Sequence, residues 1–240
     1  SSNLIFEQLI NYFKENHISI DQILCSSYIK SVNYNQLFKN YNKKVFLDIG
    51  YKKSCLTVFD KDRLIIFNTI PLGGNHITKD ISQVLNLSEE ESENIKKSLN
   101  KSETVFSDKS EEEFISNSKI KKKLSGNISL ELLQKVIYAR INEILSLNFK
   151  NINFSKLMED KSKCILVFTG EGSKILNKNS IYLENQFNFF DEMKFFEESA
   201  NLICQAGFNF KRINNSHEVN IIAKKPKKYG FFEKLFNLIS

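Results

Sequence analysis

The chain of 240 residues has no tryptophan and few cysteines or histidines. Its four cysteines are far apart, and no CxxC or His–Cys pairing exists, which excludes a zinc site of the usual spacing. Three of the four stand in apolar runs, as small core residues do, and this favours a reducing cytoplasm over a disulfide framework. Phenylalanine, with 21 residues, is expected to fill much of the core.

Long apolar runs are also missing. No stretch reaches the length of a transmembrane helix, no signal peptide is visible, and no internal repeat of fixed period occurs. Because the chain begins with Ser-Ser rather than Met, we expect that residues are missing upstream. The length suits one large domain or two small ones with a buried core.

Positive charge is concentrated at one end of the chain. Residues 222–240, the C-terminal tail, hold five lysines and one glutamate, and so account for +4 of the net charge of +6. A nucleic-acid-binding protein is expected to carry its charge over a groove or a face. Nucleic acid is therefore not predicted as a partner.

The sequence of the first half of the chain predicts helices before and after a strand hairpin. Helical spacing of apolar residues predicts a helix in residues 3–17, and a short strand at 23–25 is predicted to lead into another helix. Strands are predicted at 43–50, 54–60 and 63–70, the last two joined by a tight turn at residues 60–62. Pro71 and Gly73-Gly74 end the hairpin. Two helices follow, the second opened by a capping box at Ser88.

The second half begins with a polar segment, residues 100–127, predicted to be a loop or a small mobile subdomain. A strong helix follows, with Ser129 as its N-cap and one apolar stripe along it. The run "CILVF" predicts a buried strand, followed by a turn at 170–173 and a short helix. A further helix is predicted to end at Gly207, and a last strand is predicted to begin at Glu218 and to run into a basic linker.

Two turns have the composition of ligand-binding loops. Asp48-Ile49-Gly50 lies between two strands, where successive backbone N–H groups can surround a phosphate and an aspartate can hold a Mg²⁺-bound water. The alternative is an ordinary entry to a hairpin. The stretch "FTGEGS", residues 168–173, follows a buried strand, and its glycines would let a flat ligand or a phosphate lie close to the backbone. The alternative there is a plain strand-to-helix connection.

The order of these features resembles the second half of the actin-like ATPase fold, and within it the FtsA family of bacterial cell-division proteins. The most specific segment is Gly-Gly-Asn-His-Ile-Thr-x-Asp-Ile, residues 73–81. The helix "ISLELLQKVIYARINEI" is similar to the helix before the family's adenosine turn, and "VFTGEGSKI" to that turn itself. The resemblance covers roughly residues 1–240 but only the C-terminal part of the family's length.

The resemblance implies an α/β, ribonuclease H-like fold with a helical insert subdomain and a C-terminal amphipathic helix. Residues 1–31 would end the first lobe, 32–74 and 161–222 would form the core of the second, 75–160 the insert that binds FtsZ in the family, and 223–240 a basic linker and membrane-targeting helix. It implies ATP with Mg²⁺ as cofactors, and these nucleotide-site residues: Asp48, Gly50, Lys52, Ser54, Gly73, Gly74, Arg140, Gly170, Gly172 and Ser173.

The chain departs from the family's pattern within both turns. After Asp-Ile-Gly the family continues Gly-Gly-Thr-Thr, where this chain has Tyr51, Lys52, Lys53 and Ser54. In the adenosine turn, Glu171 replaces a glycine. Large side chains hinder close approach of phosphates to the backbone, although a lysine could supply charge instead. These departures predict a weak ATP site and weak or absent ATPase activity. No catalytic residue is assigned.

The end of the tail has the pattern of a helix that lies on a membrane surface. Its apolar residues recur at helical spacing and follow a basic linker loosened by Pro226 and Gly230, which suits an anionic membrane. The alternative is a helix docked on the domain's own core. The membrane-binding residues predicted here are Lys224, Lys225, Lys227, Lys228, Phe231, Phe232, Leu235, Phe236 and Ile239.

Lys121, Lys122 and Lys123 precede the strong helix, in the region that corresponds to the family's FtsZ-binding subdomain. They could pair with acidic groups of the FtsZ C-terminal peptide, and a solvated charge run is the alternative. The resemblance also implies self-polymerisation and a location on the cytoplasmic face of the inner membrane at the division site. Two alternatives within the fold stay open: a PilM-like pilus-assembly adaptor and an actin-fold small-molecule kinase.

Overall fold

The computed structural model of the chain describes residues 2–20, 23–101, 130–150, 152–153, 162–177, 183 and 187–213. The first elements are α1 (Ser2–Glu15), α2 (Ser26–Asn35), β1 (Lys43–Ile49), β2 (Ser54–Asp60) and β3 (Arg63–Ile70). They are followed by α3 (Gly74–Leu85), α4 (Glu89–Lys101), α5 (Leu130–Phe149), β4 (Cys164–Thr169), α6 (Lys174–Asn177), β5 (Glu192–Phe195) and α7 (Ala200–Ile213).

The five strands form one mixed sheet in the order β3-β2-β1-β4-β5. The first three strands are antiparallel, because tight connections join them, and β4 and β5 run parallel to β1. Every residue of β1 is buried. A strand that is buried along its whole length requires cover on both faces of the sheet, and helices provide it.

Alternate residues of β1 enter different hydrophobic cores. Val45, Leu47 and Ile49 join the larger core, in which the sheet packs against α3, α4 and α5. Phe46 enters a second core with Tyr34 and Phe38. On that side α2 also contacts α7 through Ile29, Ala206 and Phe210. The result is a sheet between two helical layers.

Several local predictions are confirmed. The hairpin, the helices α3, α4 and α5, and the buried strand β4 occur where the sequence predicts them. The turn between β2 and β3 has Lys61 at a positive φ of 53°. The capping box is present, since the backbone N–H of Ser88 donates to Glu91 Oε2 and the N–H of Glu91 donates to Ser88 Oγ.

Two predictions are wrong. Residues 23–25 form no strand, and the chain there leads directly into α2. Gly207 does not end its helix, since α7 continues to Ile213. The cost of an interior glycine, about 1 kcal/mol, is outweighed where its neighbours Ala206 and Phe210 pack on α2.

Other predictions fall outside the described residues. They include the N-cap Ser129, the cluster Lys121–Lys123, the last strand beginning at Glu218 and the whole C-terminal tail with its membrane-binding residues. The helices α3, α4 and α5, from the range assigned to an insert, contribute side chains to the larger core of the sheet. No helix in the described ranges combines the length and apolar character needed to span a membrane.

Thiol reactivity gives a simple test of this fold. Cys55 and Cys164 are buried, Cys25 and Cys204 are exposed, and burial raises the pKa of Cys55 to about 11. Because the thiolate is the reacting form, we expect two thiols to react quickly with a disulfide reagent in the native chain and four in denaturant. A variant with Cys25→Ser and Cys204→Ser should lose the fast phase. Four fast thiols in the native chain would contradict the burial of the sheet.

Candidate functional site

The two turns singled out in the sequence lie side by side at one edge of the sheet. β1 and β4 are parallel neighbours, and Asp48 pairs in register with Thr169. Since the carboxyl ends of parallel strands meet at the same edge, the Asp-Ile-Gly turn and the Gly170–Ser173 turn are adjacent. The start of α3, with Gly73 and Gly74, meets both of them.

Backbone hydrogen bonds join the first turn to the start of α3. The N–H of Gly74 donates to the carbonyl of Gly50 over 2.9 Å, and the N–H of Asn75 donates to the carbonyl of Tyr51 over 2.8 Å. The N–H of Gly50 itself donates to the carbonyl of Lys53 over 2.9 Å. These N–H groups are therefore already bonded to protein carbonyls rather than available to an anion.

The glycines of the three segments pack against neighbouring backbone. A Cβ atom on Gly73 would stand 2.5 Å from the carbonyl oxygen of Gly50, and one on Gly172 would stand 2.7 Å from the Ile49 side chain. Gly170 has a φ of +83°, a conformation that other residues rarely adopt. The space that these glycines leave is filled by the protein itself. Glycine at these positions is thus explained by close backbone packing.

Asp48 is held by a polar network on the α2 side of the sheet. Its Oδ2 accepts a hydrogen bond from Ser27 Oγ over 2.5 Å and forms an ion pair with Lys30 Nζ over 2.9 Å. The same ammonium lies 2.8 Å from Oε2 of Glu198. Asp48 and Lys30 are both buried. Sequence reasoning missed Ser27, Lys30 and Glu198.

The other predicted residues of the two turns have contacts within the protein. Ser54 is fully buried, and its Oγ accepts a hydrogen bond from Asn148 of α5 over 2.8 Å. Ser173 Oγ donates to the carbonyl of Gly170 over 2.7 Å. Lys52, by contrast, is exposed. Of these three side chains, Lys52 alone is free to reach a ligand at the surface.

Arg140 joins α5 to α3. Its guanidinium forms an ion pair with Asp80, with Nη2 lying 2.8 Å from Oδ1, and it also pairs with Glu143. The hydrogen bond to Asp80 raises the pKa of Arg140 further above its already high ordinary value. The contacts of Arg140 in the described part of the chain are therefore those of a helix-to-helix pair. Its prediction as a nucleotide-site residue stays a prediction.

A second buried cation supports the start of α3. Lys96 of α4 donates to the carbonyl of Gly74 over 2.9 Å and to Thr78 Oγ1 over 2.7 Å, and it pairs with Glu93. His76, for which the sequence offered no partner, accepts a hydrogen bond at Nδ1 from the N–H of Gly73. The segment 73–81 is thereby fixed by the protein's own groups.

Comparison with known proteins decides the family. The model of the cell division protein FtsA family matches residues 45–218, which include both turns and the segment between them. The chain belongs to the FtsA family. It is 35% identical over 101 residues to the cell division protein FtsA of Bacillus subtilis (strain 168). That alignment covers 42% of this chain and 22% of the Bacillus protein.

Solved structures confirm the fold expected for an FtsA-family chain. MreB5 of Spiroplasma citri bound to AMPPNP superposes with a TM-score of 0.59 at 16% identity, covering 87% of this chain and 64% of that one. The ADP-bound form gives 0.57 at 17% identity and covers 87% and 65%. The chain thus spans just under two thirds of these structures. The chain therefore has the actin-like α/β fold that the sequence predicted. Its family, shown by the match over residues 45–218, is one of cell-division proteins.

Proposed function

We propose that this chain acts as a cell-division adaptor that attaches FtsZ filaments to the cytoplasmic face of the inner membrane at the division site. The observation that carries the proposal is the FtsA family match over residues 45–218, on an actin-like sheet at one edge of which two turns meet the start of α3. In this proposal the core of the second lobe, residues 32–74 and 161–222, carries two attachments, one to lipid and one to FtsZ.

The lipid attachment is the C-terminal tail, residues 222–240. Four lysines precede a stretch from Phe231 onward whose apolar residues recur at helical spacing. Each lysine near an anionic surface contributes about 1 kcal/mol, and the phenylalanines add apolar burial in the interface. One short helix of this kind binds reversibly. Self-polymerised copies of the chain would present many tails to one membrane and hold it stably.

The FtsZ attachment is the insert, residues 75–160. Lys121, Lys122 and Lys123 supply three positive charges for an acidic peptide, and charge-assisted hydrogen bonds to carboxylates are strong. The helices α3, α4 and α5 of this range pack on the sheet, so the residues on either side of the segment with the three lysines are held against it.

The nucleotide site would be a divergent one. MreB5 of Spiroplasma citri has been solved with AMPPNP and with ADP, which motivates an ATP site at the two turns and the start of α3. In this chain the N–H groups of Gly50, Gly74 and Asn75 are bonded to protein carbonyls, and the glycines pack against neighbouring backbone. We therefore propose that ATP binds weakly at most and is not rapidly hydrolysed. Lys52 and Lys53, both exposed, would supply what charge the phosphates meet.

Vesicle sedimentation with FtsZ tests both attachments in one assay. Vesicles of anionic phospholipid are spun down with the 240-residue chain and FtsZ, and each protein is measured in the pellet. We expect both proteins in the pellet, because the tail holds the membrane and the insert holds FtsZ. Deletion of residues 224–240 should remove both, with at least about a tenfold fall in membrane binding from the loss of several lysines.

Two variants separate the attachments. Replacing Lys121, Lys122 and Lys123 together with alanine should leave the chain in the pellet while FtsZ stays in solution. Replacing Lys14, Lys39 and Lys163, which lie outside the insert and the tail, is the matched charge control and should change neither. Unchanged sedimentation after the tail deletion would contradict the adaptor. A chain that does not retain FtsZ but binds a pilus-assembly partner would favour the PilM-like alternative.

A further inference from the structure

Lys30 lies where three separate segments converge. It projects from α2 toward Asp48 at the end of β1 and Glu198 in the segment that follows β5. Its ammonium lies 2.9 Å from Asp48 Oδ2 and 2.8 Å from Glu198 Oε2, and only 6% of the residue is exposed. One buried cation therefore serves two carboxylates that come from distant parts of the chain.

Asp48 is the residue that the turn's composition assigns to a Mg²⁺-bound water. In this structure a positive charge already contacts its Oδ2, and Ser27 donates to the same oxygen. We propose that Lys30 is a built-in substitute for the divalent cation, and that this site of the actin-like fold does not take Mg²⁺. The proposal deepens the divergent nucleotide site described above and does not depend on FtsZ or lipid binding.

A divalent cation at Asp48 would lie next to the ammonium of Lys30. Mg²⁺ keeps most of its water ligands and needs only one or two carboxylates from a protein, but an adjacent ammonium repels it. Asp48 Oδ1 is the one buried carboxylate oxygen here with no hydrogen-bond partner among the described residues. It faces Gly170, whose Cβ position would lie 2.5 Å away. In the described part of the chain, no three acidic, histidine or cysteine side chains form a group that could hold a metal ion.

The charge on Lys30 is secured by its surroundings. Burial on its own lowers the pKa of Lys30, but Asp48 and Glu198 outweigh that effect, and the net result is a pKa above the ordinary value. Tyr34, whose hydroxyl donates to Glu198 over 3.2 Å, has a raised pKa through burial and through Glu198, so it stays neutral.

Mn²⁺ binding tests the proposal, because Mn²⁺ takes the same oxygen ligands as Mg²⁺ and its free form is read directly by electron paramagnetic resonance. The full chain is titrated with Mn²⁺ alone, without nucleotide, as wild type, Lys30→Met and Lys43→Met. We expect no saturable millimolar site in the wild type. Lys30→Met leaves Asp48 and Glu198 without their cation. Its dissociation constant for Mn²⁺ should lie at least about tenfold below the lower limit measured for the wild type.

Lys43→Met is the matched control. Lys43 is also buried, at 8% exposure, and pairs with Asp60 over 2.8 Å at the opposite end of β1 from Asp48. Its replacement should leave Mn²⁺ binding as weak as in the wild type. If Lys30→Met fails to fold, Lys30→Met combined with Glu198→Gln removes one of the two uncompensated charges, and should still bind Mn²⁺ more tightly than the wild type.

Two results would overturn the proposal. A saturable Mn²⁺ site in the wild type that disappears in Asp48→Asn would show that Lys30 does not exclude the metal, and this measurement needs no Lys30 variant. Folded Lys30 variants with no gain in Mn²⁺ affinity would show that the ammonium does not stand at a cation site. Neither result bears on vesicle sedimentation with FtsZ, so failure of this inference and failure of the adaptor function are distinguishable.

Discussion

Replacing Phe46 with alanine is expected to lower the free energy of unfolding by about 3–5 kcal/mol, because truncating a buried phenylalanine loses its burial and leaves a cavity. Phe46 is 2% exposed in the central strand β1. Its ring lies 6.3 Å from that of Tyr34, 6.2 Å from Phe38 and 5.9 Å from Phe59, measured between centroids. The second core, on the α2 side of the sheet, is built around it.

Urea unfolding followed by circular dichroism measures this loss as a shift in the midpoint at constant slope. Phe208→Ala is the matched control, since Phe208 is 71% exposed on α7 and should cost no more than about 0.5 kcal/mol. A loss below about 1 kcal/mol for Phe46→Ala would mean that α2 does not cover this face. The position of Lys30 on α2 would then also be in doubt.

The elements that the sequence predicted well are those fixed by local signals. The strands β1, β2 and β4 are mainly apolar runs bounded by turn residues, and α4 begins at a capping box whose two bonds form between residues three apart. Such patterns depend on neighbours in the chain. The strand β5 was missed for the opposite reason. Its sequence "EMKF" has two charged residues in four, and it becomes a strand by pairing with β4.

The residues of the candidate site were also predicted only in part. The sequence pointed to Asp48 and to the glycine turns, and parallel pairing of β1 with β4 brings the two turns together. Ser27, Lys30 and Tyr34 recur at helical spacing on one side of α2, which is a signal for a polar face. The sequence could not reveal what that face meets. Lys30 and Glu198 are 168 positions apart, and only the folded sheet brings them together.

The second large effect on stability is expected at Gly170, in the turn that follows β4. Gly170→Ala should lower the free energy of unfolding by about 3 kcal/mol, from backbone strain together with overpacking. At φ +83° and ψ 153°, Gly170 has a conformation that is nearly exclusive to glycine. A Cβ atom there would stand 2.5 Å from Asp48 Oδ1 and 2.5 Å from the carbonyl oxygen of Ile49. Neither the strand end nor the turn can withdraw without disturbing the pairing of β1 with β4.

Gly207→Ala makes the same chemical change with the opposite expected sign. Gly207 is inside α7, and an added Cβ atom would meet nothing within 4 Å. Alanine is the better helix former, so this variant should be more stable by about 0.5–1 kcal/mol. Both variants are measured by urea unfolding without nucleotide. Equal effects would show that the turn at Gly170 can open, which is what a ligand loop would require.

Unfolding is measured without nucleotide because the free protein distinguishes two roles that a glycine in this turn can have. A glycine that serves only the approach of a phosphate can be replaced at little cost to the free protein, because the added Cβ occupies space reserved for the ligand. A glycine that serves backbone packing cannot, because the Cβ meets Asp48 and Ile49 in every state. A large loss for Gly170→Ala would therefore mean that this FtsA-family chain retains its glycine turns to close the junction between β1, β4 and α3. Lys30 and the turns would then be two parts of one self-contained structure at this edge of the sheet.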